Sequence, residues 1–249
     1  MSNGRSKILL VTGASRGIGA AIANLAGQKG YDVALSYKAN QDAAERIVEG
    51  IQKRGQRAIA VQADMGSQAD IVRLFEEIDS ALGPVDHLVN NASDTVRKCL
   101  IEDIDAQTLD KVFRINVAGY FLCAREAIKR MSVKRGGKGG SIVNISSIAA
   151  LRANAFDWVH YGATKGAIDT FTVGLALEGV EHGIRCNAVR PGPIDTDMNT
   201  PEHFKKIEAT VPMKRMGSPA EVAQAVLFLL SDNSSFCTGS FLNVSGGRF

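Results

Sequence analysis

Short apolar runs alternate along this chain with longer segments in which apolar residues recur every three or four positions. The first run, Ile8 to Val11, contains no polar residue, which predicts a strand buried on both faces, as in a parallel sheet. Segments such as Ala69 to Leu82 and Ala220 to Leu230 have the length and spacing of amphipathic helices. Strand and helix alternating throughout, joined by right-handed crossovers, predict an α/β fold with a doubly wound sheet.

The predicted strands share a short length and an apolar, β-branched composition. They are Ile8 to Thr12, Asp32 to Ser36, Ala58 to Gln62, His87 to Asn90, Ser141 to Ser146, Arg185 to Val189 and Phe241 to Val244. We therefore expect about seven mainly parallel strands, flanked by helices on both faces. Since no linker, repeat or low-complexity segment interrupts the 249 residues, we expect a single domain over residues 1–249.

Composition and charge exclude several classes of protein. With 45% hydrophobic and 22% charged residues the chain resembles soluble globular proteins, and no stretch approaches the roughly 20 apolar residues of a membrane span. The net charge is +3 with scattered lysines and arginines, so we expect neither a nucleic acid nor a membrane as partner. The four cysteines lack CxxC and Cys/His metal spacings, which predicts no metal site and a reducing, cytoplasmic compartment.

A glycine-rich turn follows the first predicted strand, and a helical pattern then runs to about Lys29. Glycines at such a turn let the backbone approach a ligand closely, and the free N–H groups of the helix N-terminus favour an anionic pyrophosphate. The alternative is a tight strand-to-helix turn that binds nothing. The candidate phosphate-binding residues are Gly13, Ser15, Arg16, Gly17, Ile18 and Gly19.

The spacing of Thr12, Gly13, Gly17 and Gly19 resembles the Thr-Gly-x3-Gly-x-Gly signature of the short-chain dehydrogenase/reductase family. The resemblance implies a Rossmann-type fold that binds a nicotinamide dinucleotide. It also implies hydride transfer between the nicotinamide and a small-molecule carbonyl or alcohol. Motifs in the same order continue along essentially all 249 residues.

Tyr161 and Lys165 are four residues apart on a predicted helix, so both project from one face. A nearby ammonium favours the phenolate and lowers the pKa of a tyrosine, which suits acid/base work. The pair resembles the Tyr-x3-Lys motif of the family, which implies that both residues are catalytic and contact the cofactor.

The resemblance to the family also implies that a serine binds the substrate oxygen. Ser147 matches that position at the end of a strand, with Ser146 as the alternative.

Asn116 lies within a predicted helical stripe of apolar residues. The other members of that stripe are Leu109, Val112, Phe113, Val117 and Tyr120. A buried amide there needs hydrogen-bond partners, which the protein core alone could supply. The resemblance implies instead a fourth catalytic residue, which holds a water and completes a proton relay beyond Lys165.

Basic residues indicate which dinucleotide is bound. Arg16 in the glycine loop and Lys38 after the second strand could clamp a 2′-phosphate from two sides, whereas Asp32 lies at the wrong end of that strand for a ribose contact. We therefore expect NADP(H), with NAD(H) left open. The alternative is that both cations are ordinary surface residues.

The resemblance implies further cofactor contacts along the chain. These are Tyr37, Asp64, Met65, Asn91, Ala92, Pro191, Gly192, Ile194 and Thr196. Ser93 departs from the family pattern Asn-Asn-Ala-Gly, because a Cβ and a hydroxyl replace bare backbone.

These observations predict an NADP(H)-dependent oxidoreductase, with a short substrate lid around residues 197–216. Within the same family, a 3-oxoacyl thioester reductase and a sugar dehydrogenase remain alternatives. A regulator that binds NADP(H) without turnover is a further one. Surplus apolar residues on the helices near Thr108 and Tyr161, together with the resemblance, imply a homotetramer or a dimer.

Overall fold

The computed structural model describes residues 6–196 and 207–249. These residues contain a seven-stranded sheet in the order β3-β2-β1-β4-β5-β6-β7, in which all neighbouring strands are parallel. The strands are β1 (Ile8–Val11), β2 (Asp32–Tyr37), β3 (Ala58–Gln62), β4 (His87–Asn90), β5 (Gly140–Ile145), β6 (Ile184–Pro191) and β7 (Phe241–Val244). The predicted α/β sheet is confirmed, with strand ends within two residues of those expected.

Helices cover both faces of the sheet. They are α1 (Gly17–Gln28), α2 (Gln41–Gln52), α3 (Gln68–Ala81), α4 (Ala106–Phe113), α5 (Gly119–Met131), α6 (Ala149–Arg152), α7 (Val159–Val180) and α8 (Pro219–Leu230). Helices α1, α2 and α8 pack on one face, and α3, α5 and α7 pack on the other. No helix in the described part of the chain is both long and apolar enough to span a membrane.

The unbroken apolar run of β1 is explained by the two cores that it separates. Leu9 and Val11 belong to the core under α1 and α8, whereas Ile8 and Leu10 belong to the core under α3 and α5. All four side chains are fully buried. Successive side chains of a strand point to opposite faces, so a strand covered on both sides needs apolar residues at every position.

The segment around Asn116 differs from the predicted continuous helix. A π-helical turn, Arg114–Ala118, separates α4 from α5. The predicted apolar stripe is therefore wrong in part: Leu109 is 37% exposed and Phe113 39% exposed. A wider turn changes the angular position of each later residue, which brings Ile115 and Asn116 to the buried side.

The topology places a crevice at the carboxyl ends of β1 and β4. These neighbouring strands are where the strand order reverses, because β2 and β3 lie beyond β1 and β5 to β7 lie beyond β4. Open α/β sheets bind ligands at such a switch point, outside the carboxyl ends of the strands.

Candidate active site

The glycine-rich loop after β1 is held in place from both sides. The Gly13 N–H donates to Ser36 Oγ at 3.0 Å, and Asn91 Nδ2 donates to the carbonyl oxygens of Thr12 at 2.9 Å and Gly13 at 3.0 Å. Gly13 has a φ of +62°, and a Cβ there would lie 2.8 Å from Ala92 Cα. Only glycine fits this backbone without displacing its neighbours. Asn91 and Ala92, predicted as cofactor contacts, thus also brace the loop.

The same loop forms a cradle at the start of α1. A Cβ on Gly19 would lie 2.5 Å from Asn91 Nδ2 and 2.7 Å from Gly13 O, so the helix start is packed directly against the loop. Arg16 occupies the N-cap position, and its side chain makes no capping hydrogen bond. The N-terminal N–H groups of α1 are therefore left to an anionic ligand, which fits the pyrophosphate of a dinucleotide.

The segment after β6 approaches this cradle. Gly192 follows Pro191, the last residue of β6, and its N–H donates to Val244 O at 2.9 Å. Ile194 forms an isolated parallel bridge with Gly217. A Cβ on Gly17 would lie 3.6 Å from Thr196 Cγ2, so the glycine loop and the segment Pro191 to Thr196 lie side by side.

Lys38, predicted to form one side of a phosphate clamp, pairs with an acidic side chain in this structure. Its Nζ lies 2.6 Å from Asp64 Oδ2, in an ion pair between two partly exposed side chains. Burial raises the pKa of Asp64, but hydrogen bonds from Lys38 and from the Gly66 N–H outweigh it and leave that pKa below its usual value. The Arg16 side chain lines a separate cleft with residues of α2, and Lys38 is not part of its lining.

Three other predicted cofactor residues lie mainly in the core. Tyr37 is 7% exposed and Met65 5% exposed, and Ile18 packs against the core under α1. Ser93, the departure from the family pattern, is exposed and does not take a left-handed backbone conformation.

Lys165 and Tyr161 lie on the first turns of α7, as predicted. The Lys165 ammonium is buried and donates to the carbonyl oxygen of Ile145 at 2.8 Å and to Tyr120 Oη at 3.4 Å. It lies 5.5 Å from the centre of the Tyr161 ring. Burial lowers the pKa of Lys165 to about 7, although the nearby Asp169 carboxylate acts in the opposite direction.

The pKa of Tyr161 is raised in this structure, whereas the sequence predicted that Lys165 would lower it. Burial of the hydroxyl raises the pKa of Tyr161 to about 12, and a hydrogen bond with the Ser147 side chain lowers it only in part. The prediction of a lowered pKa is wrong for this structure because burial, which disfavours the charged phenolate, is the larger effect.

The two candidate serines have different surroundings. Ser147 is half-buried, and its side chain contacts both Tyr161 and the Ala149 N–H, the latter at 3.0 Å. Ser146 is 2% exposed and donates to Asp169 Oδ1 at 2.6 Å. The structure therefore brings Ser147, and not Ser146, to the tyrosine.

Asn116 is fully buried, and its amide is occupied by protein groups. Its Oδ1 accepts from the Asp94 N–H at 2.8 Å, and its Nδ2 donates to Asp94 O at 2.8 Å and to Thr164 Oγ1 at 3.2 Å. The side chain therefore ties the loop after β4 to α7, beside the Tyr161–Lys165 pair. No contact links it directly to Lys165 within the described residues.

Sequence reasoning did not identify two residues of this site. Tyr120 was treated only as an apolar member of a stripe, yet its hydroxyl donates to Ile145 O at 3.0 Å, the carbonyl that Lys165 also reaches. Asp169 follows Lys165 by four residues, a spacing that could have indicated a neighbour on the same helix face. It pairs with Arg190 on β6 at 2.8 Å.

Residues 13–248 match the family model described as Enoyl-(Acyl carrier protein) reductase. The uncharacterized oxidoreductase YgfF of Escherichia coli (strain K12) is 46% identical over 245 residues, which cover 97% of this chain and 99% of that protein. The chain belongs to the short-chain dehydrogenase/reductase family. Members of this family are enzymes, so the chain is an oxidoreductase that acts with a nicotinamide cofactor on CH–OH or C=O groups.

Two further members of the short-chain dehydrogenase/reductase family resemble the chain over nearly its full length. The chloroplastic NADPH-dependent aldehyde reductase 1 of Arabidopsis thaliana is 38% identical over 254 residues, covering 98% of this chain and 86% of that protein. A short chain dehydrogenase from Burkholderia cenocepacia J2315, solved in complex with NADP, superposes with a TM-score of 0.91. It is 33% identical and covers 98% of this chain and 99% of its own.

Proposed function

We propose that this enzyme is an NADP(H)-dependent reductase that transfers a hydride between the nicotinamide and a carbonyl or alcohol carbon. The observation that carries the proposal is the arrangement at the carboxyl end of β5. There the Lys165 ammonium donates to the Ile145 carbonyl at 2.8 Å and lies 5.5 Å from the centre of the Tyr161 ring, and Ser147 follows Ile145 by two residues. Two hydroxyl groups there can bind one substrate oxygen together. The NADP-bound relative from Burkholderia cenocepacia and the NADPH-dependent relative from Arabidopsis thaliana support the cofactor.

The residues that hold the dinucleotide lie in three segments of the crevice. The glycine loop and the start of α1 would bind the pyrophosphate, Asp64 and Asn91 would flank the adenine side, and Pro191 to Thr196 would receive the nicotinamide. Lys165 is close enough to Tyr161 to hold the nicotinamide ribose beside it. The bound nicotinamide supplies the hydride, and the protein supplies orientation and the proton.

Tyr161 supplies the proton in the direction of reduction. With a pKa of about 12 its phenol is protonated at neutral pH, and it donates to the oxygen on which negative charge develops. Ser147 donates a hydrogen bond to the same oxygen and stabilises that charge.

Asn116 acts as a positioning residue in this proposal. Its three hydrogen bonds fix the loop carrying Asp94 against Thr164, one residue before Lys165. In this proposal the proton relay beyond Lys165 runs past the loop that Asn116 holds.

The proposed chemistry requires only a carbonyl group, so several classes of substrate fit it. Aldehydes, ketones, 3-oxoacyl thioesters and aldoses all present a carbonyl to the Tyr161–Ser147 pair.

We propose one domain over residues 1–249, in which residues 197–216 cover the substrate. Of this lid, residues 197–206 lie outside the described residues. A reducing, cytoplasmic compartment remains a prediction from the four cysteines, all of which are free thiols.

Replacement of Tyr161 by Phe tests the proposed function. NADPH consumption is followed with a panel of aldehydes, diketones, quinones, acetoacetyl thioesters and aldoses. We expect kcat/KM on the best substrate to fall by about 10²- to 10⁴-fold, because the variant keeps the ring and loses the acid. NADPH binding, followed by nicotinamide fluorescence, should change little.

Tyr31→Phe is the matched control, since it removes the same atom immediately before the amino end of β2, whereas the site lies at the carboxyl ends of the parallel strands. It should keep wild-type turnover. Equal turnover by the Tyr161→Phe variant, or no carbonyl reduction by the wild type with bound NADPH, would contradict the proposal.

A further inference from the structure

A cleft of about 520 Å³ lies beside the start of α1, on the side facing α2. Two arginines line it: Arg16 at the N-cap of α1 and Arg46 in the second turn of α2. Ser15, Asn24 and Asn40 add polar groups to the same walls. The glycine loop thus continues directly into a small positively charged cleft.

Both guanidinium groups are free in the described parts of the chain. Arg16 and Arg46 are exposed, and neither forms a hydrogen bond or an ion pair with any of these residues. None of the three acidic residues of α2 forms an ion pair with Arg46 in the described structure. Asp42, four residues earlier on the helix, makes no such pair, Glu45 accepts from Gln41, and Glu49 lies 3.9 Å from Lys53. Two unpaired cations on one cleft create a site for a dianion.

Neighbouring basic residues are engaged elsewhere. Arg54 Nη1 donates to Gly50 O at 2.7 Å, and Arg57 forms a two-pronged contact with Asp32 at 2.7 and 2.9 Å. Lys38 forms its 2.6 Å ion pair with Asp64. Arg16 and Arg46 therefore differ from the cations around them in having charge available for a ligand.

We propose that Arg46 is the second cation of the 2′-phosphate site of NADP(H), facing Arg16, and that it sets the preference for NADP(H) over NAD(H). The inference rests on the proposed function, since it assigns a specificity-determining residue to that cofactor. A guanidinium can donate two parallel hydrogen bonds to a phosphate, and the pair supplies two positive charges for its two negative ones. Asn40 caps α2 through a 3.0 Å hydrogen bond with the Ala43 N–H, which fixes the turn that presents Arg46.

The test measures dissociation constants for NADPH and NADH in the wild type, Arg46→Gln, Lys38→Gln and Lys53→Gln. The NADPH/NADH ratio is the ratio of affinities, that is, Kd for NADH divided by Kd for NADPH. We expect Arg46→Gln to weaken NADPH binding about tenfold, the size of one charge-assisted hydrogen bond, and NADH binding less than twofold. Lys38→Gln should lower the NADPH/NADH ratio less than Arg46→Gln does. Lys53→Gln removes an exposed cation from the end of the same helix and should keep the wild-type ratio.

Competition with 2′,5′-ADP and 3′,5′-ADP identifies the phosphate. We expect 2′,5′-ADP to bind the wild type more tightly than 3′,5′-ADP does, and its affinity to fall about tenfold in Arg46→Gln. Equal binding of both isomers would show a general anion cleft and overturn the assignment.

An unchanged NADPH/NADH ratio in Arg46→Gln would also overturn the assignment. If that ratio is unchanged while the wild type still reduces carbonyls, only this inference fails. If the ratio drops while no carbonyl is reduced, only the proposed function fails.

Discussion

At the scale of single residues, the buried amine of Lys165 is the least expected feature of the site. An ammonium that is 1% exposed costs free energy, which is why burial lowers its pKa to about 7. One acceptor, the Ile145 carbonyl, is shared with the hydroxyl of Tyr120. The position is therefore poorly suited to stability and well suited to holding a proton donor beside Tyr161.

We predict that Lys165→Met stabilises the protein more at pH 6 than at pH 9. The unfolded lysine has a pKa near 10.5 and the folded one a pKa of about 7, so the unfolded chain binds more protons between these values. The free-energy cost of burying the protonated Lys165 in the wild type is complete below pH 7 and declines as the pH rises toward 10.5. The gain in free energy of unfolding should shrink by about 2.5 kcal/mol from pH 6 to pH 9, or several degrees in Tm.

The Ile145 carbonyl keeps its hydrogen bond from Tyr120 in this variant, so no buried acceptor is left unpaired. Thermal unfolding at the two pH values provides the measurement, with the exposed Lys53→Met as a control whose effect should be the same at both. A Lys165→Met effect that does not depend on pH would show that the wild-type amine keeps its ordinary pKa.

At the scale of elements, the position of α7 is set where it meets α6. A Cβ on Gly162 would lie 2.7 Å from the carbonyl oxygen of Ala153. The loop that follows α6 is itself constrained, since Ala153 has a φ of +60° and Asn154 a φ of +48°. Gly162 directly follows Tyr161, so this close approach determines how the tyrosine faces Ser147.

We predict that Gly162→Ala lowers both stability and turnover. The added methyl must push α7 and the Ala153 carbonyl apart, which costs about 1–3 kcal/mol. A shift near 1 Å in Tyr161 would reduce kcat about 10²-fold. Denaturant unfolding and steady-state kinetics measure the two effects.

Gly166→Ala, one turn along the same helix, is the matched control. A Cβ there has no atom within 4 Å, so the change should stabilise the protein by about 0.5–1 kcal/mol through helix propensity. If both variants behaved alike, the contact between Gly162 and Ala153 would not position α7.

At the scale of the whole molecule, α5 and α7 present an apolar face to solvent. Leu177 is 74% exposed, Val180 61%, Phe121 49% and Val173 44%. Phe121 stacks on Phe171 with ring centres 3.9 Å apart, which makes the two helices one continuous surface. Exposed apolar patches of this kind mark interaction sites, and we propose that a second copy of this chain covers it, in the dimer or tetramer expected from the sequence.

Leu177→Glu should therefore lower the mass measured by light scattering at micromolar concentration to half or less. A carboxylate in the centre of an apolar interface is not compensated by a partner. Ile101→Glu adds the same charge at a side chain that is 70% exposed outside this face, and it should keep the wild-type mass. A monomeric wild type would contradict the prediction.

Much of the architecture could be predicted because it depends on local patterns. The apolar runs indicated every strand of the sheet to within two residues, and the spacing of Tyr161 and Lys165 placed both on one helix. The π-helical turn around Asn116 could not be predicted. Its geometry depends on packing against other elements, such as the 2.5 Å approach that a Cβ on Gly119 would make to Met65 O.

The alternation of strands and helices, the glycine loop and the candidate catalytic residues follow from spacing and residue type, so the amino-acid sequence is enough to predict them. Which charges are free depends instead on how distant segments pack together. Lys38 and Arg46 are both cations near the start of α2, yet one is paired with Asp64 from the end of β3 and the other faces Arg16. Likewise, burial in the folded core raises the pKa of Tyr161 and lowers the pKa of Lys165. Such effects depend on distances between segments far apart in the chain, which local patterns do not contain.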